Sequence, residues 1–302
     1  MADPRKVGFV GLGNMGWPMA ANIAGGGLEL VVHDANAETS ARFAAEYGNA
    51  VAASGPESFG DVEVLVTMLP DDRIVASALI DGGIAAALPR GAVIVDMSSS
   101  RPLGTRELAT RLPDGIALVD APVSGGVPRA TDGSLTLMVG GEEEPIARVQ
   151  PILRLMGARI YRTGELGSGH AVKALNNYLA AAAYAAGAEA LEIGREFGLD
   201  PATIVQIVNT STGRSFVSEI VLTEHVVTGT YATGFALALL AKDAGIAADL
   251  ATELGVDAPT AQLVSSRWKD AVGALPAGSD HSEAHKAWWP ATAAANSTPV
   301  AT

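Results

Sequence analysis

Lysine is the residue type in this chain whose placement most suggests acid–base chemistry. Only five of the 20 basic residues are lysines, and the others are arginines. A desolvated lysine can release and regain a proton, whereas arginine keeps its proton. Lys173 lies early in a long predicted helix, and Asn177 follows one turn later on the same face. The two residues predict a catalytic pair; a lysine that reaches to solvent beside a structural asparagine is the alternative.

A glycine-rich segment near the start of the chain is typical of phosphate binding. The segment from Gly11 to Gly16 reads GLGNMG, follows the predicted strand Val7–Val10 and opens a predicted helix. In this setting Gly11 permits a tight turn, Gly13 lets a pyrophosphate approach the backbone, and Gly16 lets the helix pack on the strand. Free N–H groups at the helix start attract phosphates. The segment predicts a dinucleotide site; a glycine-rich turn without a ligand is the alternative.

An acidic residue at the end of the second predicted strand indicates which dinucleotide is bound. Asp34 can accept hydrogen bonds from the ribose hydroxyls and would repel a 2′-phosphate. Ala35 and Asn36 follow it, so no arginine is available there for that phosphate. We therefore expect NAD rather than NADP. The alternative is that Asp34 only caps the next helix.

The first half of the chain has the alternating pattern of a parallel sheet covered by helices. The predicted strands are Lys6–Val10, Leu28–His33, Glu63–Met68, Ala92–Asp96, Ile116–Asp120, Leu135–Val139 and Arg159–Tyr161. The predicted helices between them include Ala35–Tyr47, Pro102–Arg111 and Glu142–Leu155.

Strand signals stop after about Thr163, and the remaining pattern is helical. A helix is predicted from His170 to Phe197, and Asp200-Pro201 is typical of the start of another. We expect an α/β, Rossmann-like NAD-binding domain with a mostly parallel sheet over 1–163. An all-α domain is expected over 164–290, followed by a disordered tail over 291–302.

Composition excludes several classes of function. The 20 Lys+Arg and 33 Asp+Glu residues give a net charge of −13, which argues against nucleic-acid binding. Without cysteine there is no disulfide, thiol nucleophile or cysteine-ligated metal. The uncharged run Val7–Leu28 contains seven glycines and a proline, so we expect a soluble element rather than a membrane span. A cytoplasmic location is expected.

Four separated segments together resemble the β-hydroxyacid dehydrogenase family. They are Gly11–Ile23 (GLGNMGWPMAANI), Asp120–Gly126 (DAPVSGG) with its continuation to Gly141, Gly167–Asn177 (GSGHAVKALNN), and Lys242-Asp243 within LLAKDAGIA. The resemblance covers most of the chain in the family's order. It implies a Rossmann-like domain followed by a helical domain for substrate binding and oligomerisation.

The resemblance also implies roles for individual residues. Lys173 would be the acid/base, with Asn177 as its hydrogen-bonding partner. The family's substrate site corresponds to Ser124, Gly125, Gly126, Lys242 and Asp243. Its cofactor site corresponds to Gly11, Gly13, Asn14, Met15, Gly16, Asp34, Met68, Leu69, Pro70, Ser99 and Lys242, with Ser99 in place of the family's threonine. For the segment Ser124–Gly126, exposed backbone N–H donors can hold a carboxylate, and a plain turn is the alternative.

Together with these residues, the resemblance implies an NAD-dependent oxidoreductase that interconverts a small 3-hydroxy acid and its semialdehyde. Three relatives with a similar domain plan are the alternatives: an imine reductase-like enzyme, 6-phosphogluconate dehydrogenase, and a non-catalytic NAD-binding scaffold. Lys173 argues against the first and third, and the chain length argues against the second. A small carboxylate is the expected partner, and the resemblance implies a homodimer or homotetramer.

Histidines and tryptophans carry no catalytic prediction. His281 and His285 stand four apart, but they lack a third ligand, so a solvated helix face is favoured over a metal site and no metal is expected. No role is assigned to His170. Trp288 and Trp289 are predicted to anchor the C-terminal end, within the subunit or against a partner.

Overall fold

The computed structural model describes residues 5–289, which form two compact units. The boundary between them lies between Lys173 and Ala174. The tail expected over 291–302 lies outside the described residues. Among the helices of residues 5–289, none combines the length and apolar character needed to cross a membrane.

A nine-stranded sheet forms the centre of the first unit, as far as residues 5–289 describe it. The strands are β1 (Lys6–Val10), β2 (Glu29–His33), β3 (Ala50–Ala52), β4 (Val64–Thr67), β5 (Val93–Asp96), β6 (Ala117–Asp120), β7 (Val123–Ser124), β8 (Leu135–Gly140) and β9 (Gly157–Gly164). Their order is β3-β2-β1-β4-β5-β6-β8-β7, with β9 beside β8. The pairs from β3 to β6 are parallel, and β8 is antiparallel to β6 and β7. The predicted mostly parallel, Rossmann-like sheet is confirmed.

Helices cover both faces of this sheet. They are α1 (Gly16–Gly25), α2 (Ala37–Glu46), α3 (Asp72–Ala76) with a π-helical continuation (Ser77–Asp81), α4 (Ile84–Ala87), α5 (Pro102–Arg111), α6 (Gly126–Thr131) and α7 (Glu143–Met156), with a 3₁₀ turn at Pro56–Phe59. Neighbouring residues of a strand face opposite sides, so Phe9 and Val66 join one buried cluster while Val10 and Leu65 join another. This two-sided burial explains why the central strands are apolar at nearly every position.

The second unit is helical. The helix α8 (Ser168–Phe197) runs from the first unit into it, followed by α9 (Pro201–Asn209), a π-helical segment (Val217–Val226), α10 (Leu237–Glu253), α11 (Pro259–Ala274), a 3₁₀ turn (His281–Glu283) and α12 (Ala284–Trp288). Trp268 and Tyr184 are fully buried at its centre, with ring centroids 5.4 Å apart. The indole N–H of Trp288 donates to the carbonyl of Arg267, whose guanidinium lies over that ring. The C-terminal tryptophans thus pack within the subunit.

Several element bounds differ from the sequence predictions. α8 begins two residues before the predicted His170, because the carboxylate of Asp120, distant in sequence, caps its first turn. The short strands β3 and β7 were not predicted, since three and two residues are too few to show an alternating pattern. The predicted cap of α9 is confirmed: the carboxylate of Asp200 accepts from the N–H of Thr203 at 3.0 Å.

Candidate active site

Two glycines of the first loop are required by the fold itself. A Cβ on Gly11 would lie 2.3 Å from the carbonyl oxygen of Met68, and the residue has a φ of +99°. A Cβ on Gly16 would lie 1.8 Å from the carbonyl oxygen of Gly11. Both distances are far below any real contact, so a larger residue at either position would displace the backbone. The loop therefore packs closely between β1, β4 and the start of α1.

Within residues 5–289, packing does not require a glycine at position 13. A Cβ on Gly13 would meet no atom of these residues within 4 Å. The helix α1 begins just beyond it, with Met15 at the N-cap position and no side chain capping the first N–H groups. The first N–H groups of a helix have no partners inside the helix, and they attract anions. Open space above Gly13 and an uncapped helix start fit a pyrophosphate in contact with the backbone.

Asp34 lies at the end of β2 and is tied to the glycine loop. Its Oδ2 accepts from the N–H of Leu12 at 2.8 Å, and its Oδ1 accepts from the N–H of Asn36 at 2.9 Å. The N-cap of α2 is Asn36, whose side chain accepts from the N–H of Glu38. The alternative that Asp34 only caps the next helix is therefore wrong. Each carboxylate oxygen keeps a second lone pair that can accept from a ribose hydroxyl.

The loops after β4 and β5 are joined by side-chain bonds. The hydroxyl of Thr67 donates to Oδ1 of Asp96 at 2.9 Å, and the N–H of Leu69 donates to the hydroxyl of Ser98 at 2.9 Å. Met68 donates its N–H to the carbonyl of Val10, so this loop also reaches β1. The predicted cofactor residues Met68, Leu69, Pro70 and Ser99 lie on these two loops. At the carboxyl edge of a parallel sheet, such loops are the usual place for a bound dinucleotide.

The predicted carboxylate loop follows β7. Ser124 ends that strand opposite Thr136 of β8, and Gly125 and Gly126 have φ values of +136° and +68°. A Cβ on Gly125 would lie 2.6 Å from Cδ of Arg129. The loop thus needs glycine for its conformation and for the approach of the arginine stem.

Lys173 lies in the second turn of α8, half-buried, and Asn177 is buried one turn later on the same helix. The Nδ2 of Asn177 donates to Oδ2 of Asp243 at 2.6 Å. Lys242 Nζ lies 3.4 Å from Oδ1 of Asp243, within ion-pair distance. The Lys242 side chain is 26% exposed, whereas the Asp243 side chain is 3% exposed.

The structure therefore joins some of the predicted residues in two sets. In the first unit, Leu12 of the glycine loop donates to Asp34, and Met68 donates to Val10, the residue just before that loop. In the second unit, Asn177, Lys242 and Asp243 are in contact. Sequence reasoning missed Asp96 and Asp120 as organising residues, although both end predicted strands, where polar residues are unusual among apolar neighbours.

No metal centre is found among the described residues, since nowhere in residues 5–289 do three histidine, aspartate or glutamate side chains form a group that could hold an ion. His281 is buried, and its Nδ1 lies 3.2 Å from the carbonyl oxygen of Phe235. Burial lowers the pKa of His281 and of His285. The expectation that these residues form a solvated helix face is wrong, because His281 is buried and His285 is half-buried against the second unit.

Comparison with known proteins gives matches along both units. The profile of the NAD binding domain of 6-phosphogluconate dehydrogenase matches residues 6–164. The profile described as the NAD-binding region of NADP-dependent 3-hydroxyisobutyrate dehydrogenase matches residues 167–288.

Individual relatives agree with the profiles. The chain is 37% identical over 267 residues to 2-(hydroxymethyl)glutarate dehydrogenase of Eubacterium barkeri, covering 88% of each sequence. It is 37% identical over 263 residues to mitochondrial 3-hydroxyisobutyrate dehydrogenase of Mus musculus, covering 83% of this chain and 77% of the mouse protein. A solved structure of Mycobacterium tuberculosis 3-hydroxyisobutyrate dehydrogenase with L-serine matches with a TM-score of 0.86 at 29% identity, covering 95% of this chain and all of that one.

Proposed function

The chain belongs to the β-hydroxyacid dehydrogenase family, and we propose on that premise that it oxidises a small 3-hydroxy acid to its semialdehyde with NAD, and catalyses the reverse reduction. The class, an oxidoreductase with a nicotinamide cofactor, follows from the family. The observation that carries the finer proposal is the arrangement on α8, where Lys173 and Asn177 stand one turn apart and Asn177 is held by Asp243 at 2.6 Å. A buried and oriented amide beside a lysine can help to hold the amino group in position for proton transfer.

The proposed cofactor residues are those of the first unit. Backbone N–H groups at the start of α1 would hold the pyrophosphate above Gly13. Asp34 would accept from the ribose hydroxyls, and the loops containing Met68 and Ser99 would contact the nicotinamide end. The bound cofactor supplies a hydride acceptor for the substrate carbon that carries the hydroxyl. The absence of an arginine directly after Asp34 supports NAD over NADP.

The substrate carboxylate is proposed to rest on Ser124, Gly125 and Gly126. Both glycines have positive φ values, and loops with such residues often present successive N–H groups to an anion. The hydroxyl of Ser124 adds a donor that can rotate to the carboxylate. Lys242 would lie beside the substrate and cofactor, as in the family, with its charge balanced by Asp243.

Lys173 is proposed to exchange a proton with the hydroxyl group of the substrate. In the oxidative direction its uncharged Nζ takes the proton from the substrate hydroxyl as the C–H hydride leaves, and in the reductive direction the ammonium returns it. Asn177 is proposed as the hydrogen-bonding partner of this amine. Its Nδ2 already donates to Asp243 and its Oδ1 accepts from Asn176, which fixes the amide orientation.

Assembly into a homodimer or homotetramer is also proposed. α8 carries exposed apolar side chains in the second unit as two pairs, each one turn apart: Leu175 with Leu179, and Ile193 with Phe197. Phe197 is 83% exposed, which is unusual for a phenylalanine in a monomer. A second copy of the chain is the proposed partner for this stripe.

The test is a screen in the oxidative direction with NAD and purified protein. 3-Hydroxyisobutyrate, glycerate, serine, threonate, 2-(hydroxymethyl)glutarate and 4-hydroxybutyrate are compared by the formation of NADH. We expect turnover with at least one 3-hydroxy acid and its loss in Lys173→Ala. Activity only on imines, or NAD binding with no turnover on any acid or its semialdehyde, would contradict the proposal.

A further inference from the structure

The imidazole of His170 lies between two carboxylates in the interior of the first unit. Its Nε2 is 3.7 Å from Oδ2 of Asp96, and its Nδ1 is 3.9 Å from Oδ2 of Asp120. The side chains of His170 and Asp120 are fully buried and that of Asp96 is 2% exposed. Three titratable groups buried together are costly unless their hydrogen bonds are satisfied. None of the roles proposed above uses them.

Asp120, the last residue of β6, caps α8 from a distance in sequence. Its Oδ1 accepts from the N–H of Gly167 at 2.7 Å and its Oδ2 from the N–H of His170 at 2.8 Å. A carboxylate in this position satisfies the open donors of the first turn and interacts favourably with the helix dipole. A Cβ on Gly169 would lie 2.2 Å from the carbonyl oxygen of Met138, so the same turn also packs against the backbone of β8.

The ring of His170 joins this first turn to α5. Its Nδ1 lies 2.8 Å from the hydroxyl oxygen of Thr105, and that hydroxyl donates to the carbonyl of Arg101 at 3.1 Å. Because the threonine has one hydroxyl proton and gives it to Arg101, the Nδ1–H of His170 is the donor to Thr105. The imidazole is thereby fixed in one orientation.

The other edge of the ring faces Asp96. That carboxylate is itself fixed, since Oδ1 accepts from the hydroxyl of Thr67 and the N–H of Ser98, and Oδ2 accepts from the hydroxyl of Ser100 at 2.7 Å. Nε2 of His170 has no hydrogen-bond partner within the described residues. The ring therefore fills the space between α5, α8 and the loop that carries the proposed nicotinamide contact.

We propose that His170 is a positioning residue, which sets the first turn of α8 against α5 and the end of β5 and so determines where Lys173 presents its amino group. Lys173 follows three residues later, within one turn of the same helix. Any tilt or rotation of that turn moves Nζ relative to the strand ends. A misplacement of about 1 Å can lower a catalytic rate by about a hundredfold. This inference rests on the proposed acid/base role of Lys173.

Four variants test it by steady-state kinetics on the full chain with NAD and the best hydroxy acid. His170→Ala removes the ring, His170→Asn keeps a donor near the position of Nδ1, Thr105→Val removes the acceptor, and His170→Ala with Thr105→Val removes both. We expect kcat to fall by about tenfold or more in His170→Ala, with the KM for the acid and the dissociation constant for NADH within about twofold of wild type. His170→Asn should keep most of the kcat that is lost in His170→Ala. Thr105→Val should lower kcat in the same direction, and the double variant should be no slower than His170→Ala.

A matched control separates positioning from general stability. His281→Ala removes a buried histidine from the second unit and should lower the melting temperature without lowering kcat at a temperature where the variant is folded. The inference is overturned if folded His170→Ala keeps kcat within twofold of wild type, if the loss appears only as weaker NADH binding, or if the two single losses multiply in the double variant. If His170→Ala does not fold, an unchanged kcat in Thr105→Val overturns it.

Lys173→Ala, measured in parallel, distinguishes failure of this inference from failure of the proposed function. If Lys173→Ala keeps the wild-type kcat, the acid/base role fails and the inference fails with it. If Lys173→Ala is inactive while His170→Ala is fully active, the proposed function stands and the positioning role alone is wrong.

Discussion

The side-chain amide of Asn177 donates to the buried carboxylate of Asp243 across two helices, at 2.6 Å. An ionised carboxylate only accepts, so this bond determines which side of the amide is nitrogen and leaves Oδ1 of Asn177 facing the other way. Asp243 was predicted to contact substrate. Its burial favours a different use, in which it holds Asn177 and balances Lys242.

Removing this carboxylate should disturb both stability and catalysis. In Asp243→Ala, the donor of Asn177 loses its buried acceptor, which costs about 1–3 kcal/mol of unfolding free energy. We expect kcat to fall by about tenfold or more because the amide can rotate. Asp249→Ala is the matched control, since that residue is exposed on the same helix. Denaturant titrations and kinetics of both variants give the comparison, and equal effects would show that Asp243 has no special role.

Lys173 should be essential for the rate of the chemical step. Both Lys173→Ala and Lys173→Arg should lower kcat by at least about a hundredfold while NAD affinity is preserved. Arginine keeps a positive charge in place but holds its proton. Recovery of activity in the arginine variant would assign Lys173 to fixed electrostatic stabilisation instead. Lys269→Ala, an exposed lysine on α11, is the control and should behave as wild type.

The cofactor preference should depend on Asp34. We expect wild type to have a higher kcat/KM for NAD than for NADP, and Asp34→Ser with Ala35→Arg to raise the NADP value relative to that for NAD. Asp34 also accepts from the N–H of Leu12, so the variant should lose some NAD affinity as well. A wild-type preference for NADP would disprove this assignment.

A substitution in the loop after β7 should weaken binding of the hydroxy acid without weakening binding of the nucleotide. Gly125→Val introduces a Cβ 2.6 Å from the stem of Arg129 at a φ of +136°, so the loop must move. We expect the KM for the hydroxy acid to rise by about tenfold or more and the dissociation constant for NADH to change little. Gly48→Ala, where a Cβ meets no atom within 4 Å, is the control. Parallel loss of both affinities would instead place this loop at the nucleotide.

Lowering the pH from 7 to 5 should destabilise the second unit. Burial lowers the pKa of His281 below its usual 6.5, so the unfolded chain binds this proton at a higher pH than the native one. The stability contributed by the neutral imidazole is complete above pH 6.5 and is lost as the pH falls towards the lowered value. His285, also lowered by burial, adds to the effect. We expect the melting temperature, followed by tryptophan fluorescence, to fall between pH 7 and 5. The melting temperature should change less with pH in His281→Asn than in His33→Asn. His33 is a partly exposed histidine of the first unit and serves as the control.

Local signals were enough to predict much of this fold. The apolar runs of β1 and β8, and Pro102 at the start of α5, carry their structural reasons within a few residues. Two buried carboxylates have their partners far away in the sequence. Asp120 caps α8 by accepting from residues 47 and 50 positions later, and Asp96 accepts from Thr67, 29 residues earlier. Such contacts depend on strand order, which no short window contains. The same holds for Asp243, whose partner Asn177 lies 66 residues before it.

Substitutions at the three glycines of the first loop should have different effects on thermal stability and on cofactor binding. Gly11 and Gly16 are constrained by neighbouring backbone, so larger residues there should fail a screen for thermal stability. Gly13 faces open space, so Gly13→Ala should pass that screen and fail one for cofactor retention. Selection for thermal stability alone would allow other residues at position 13. Its glycine is maintained only while the protein must bind a dinucleotide.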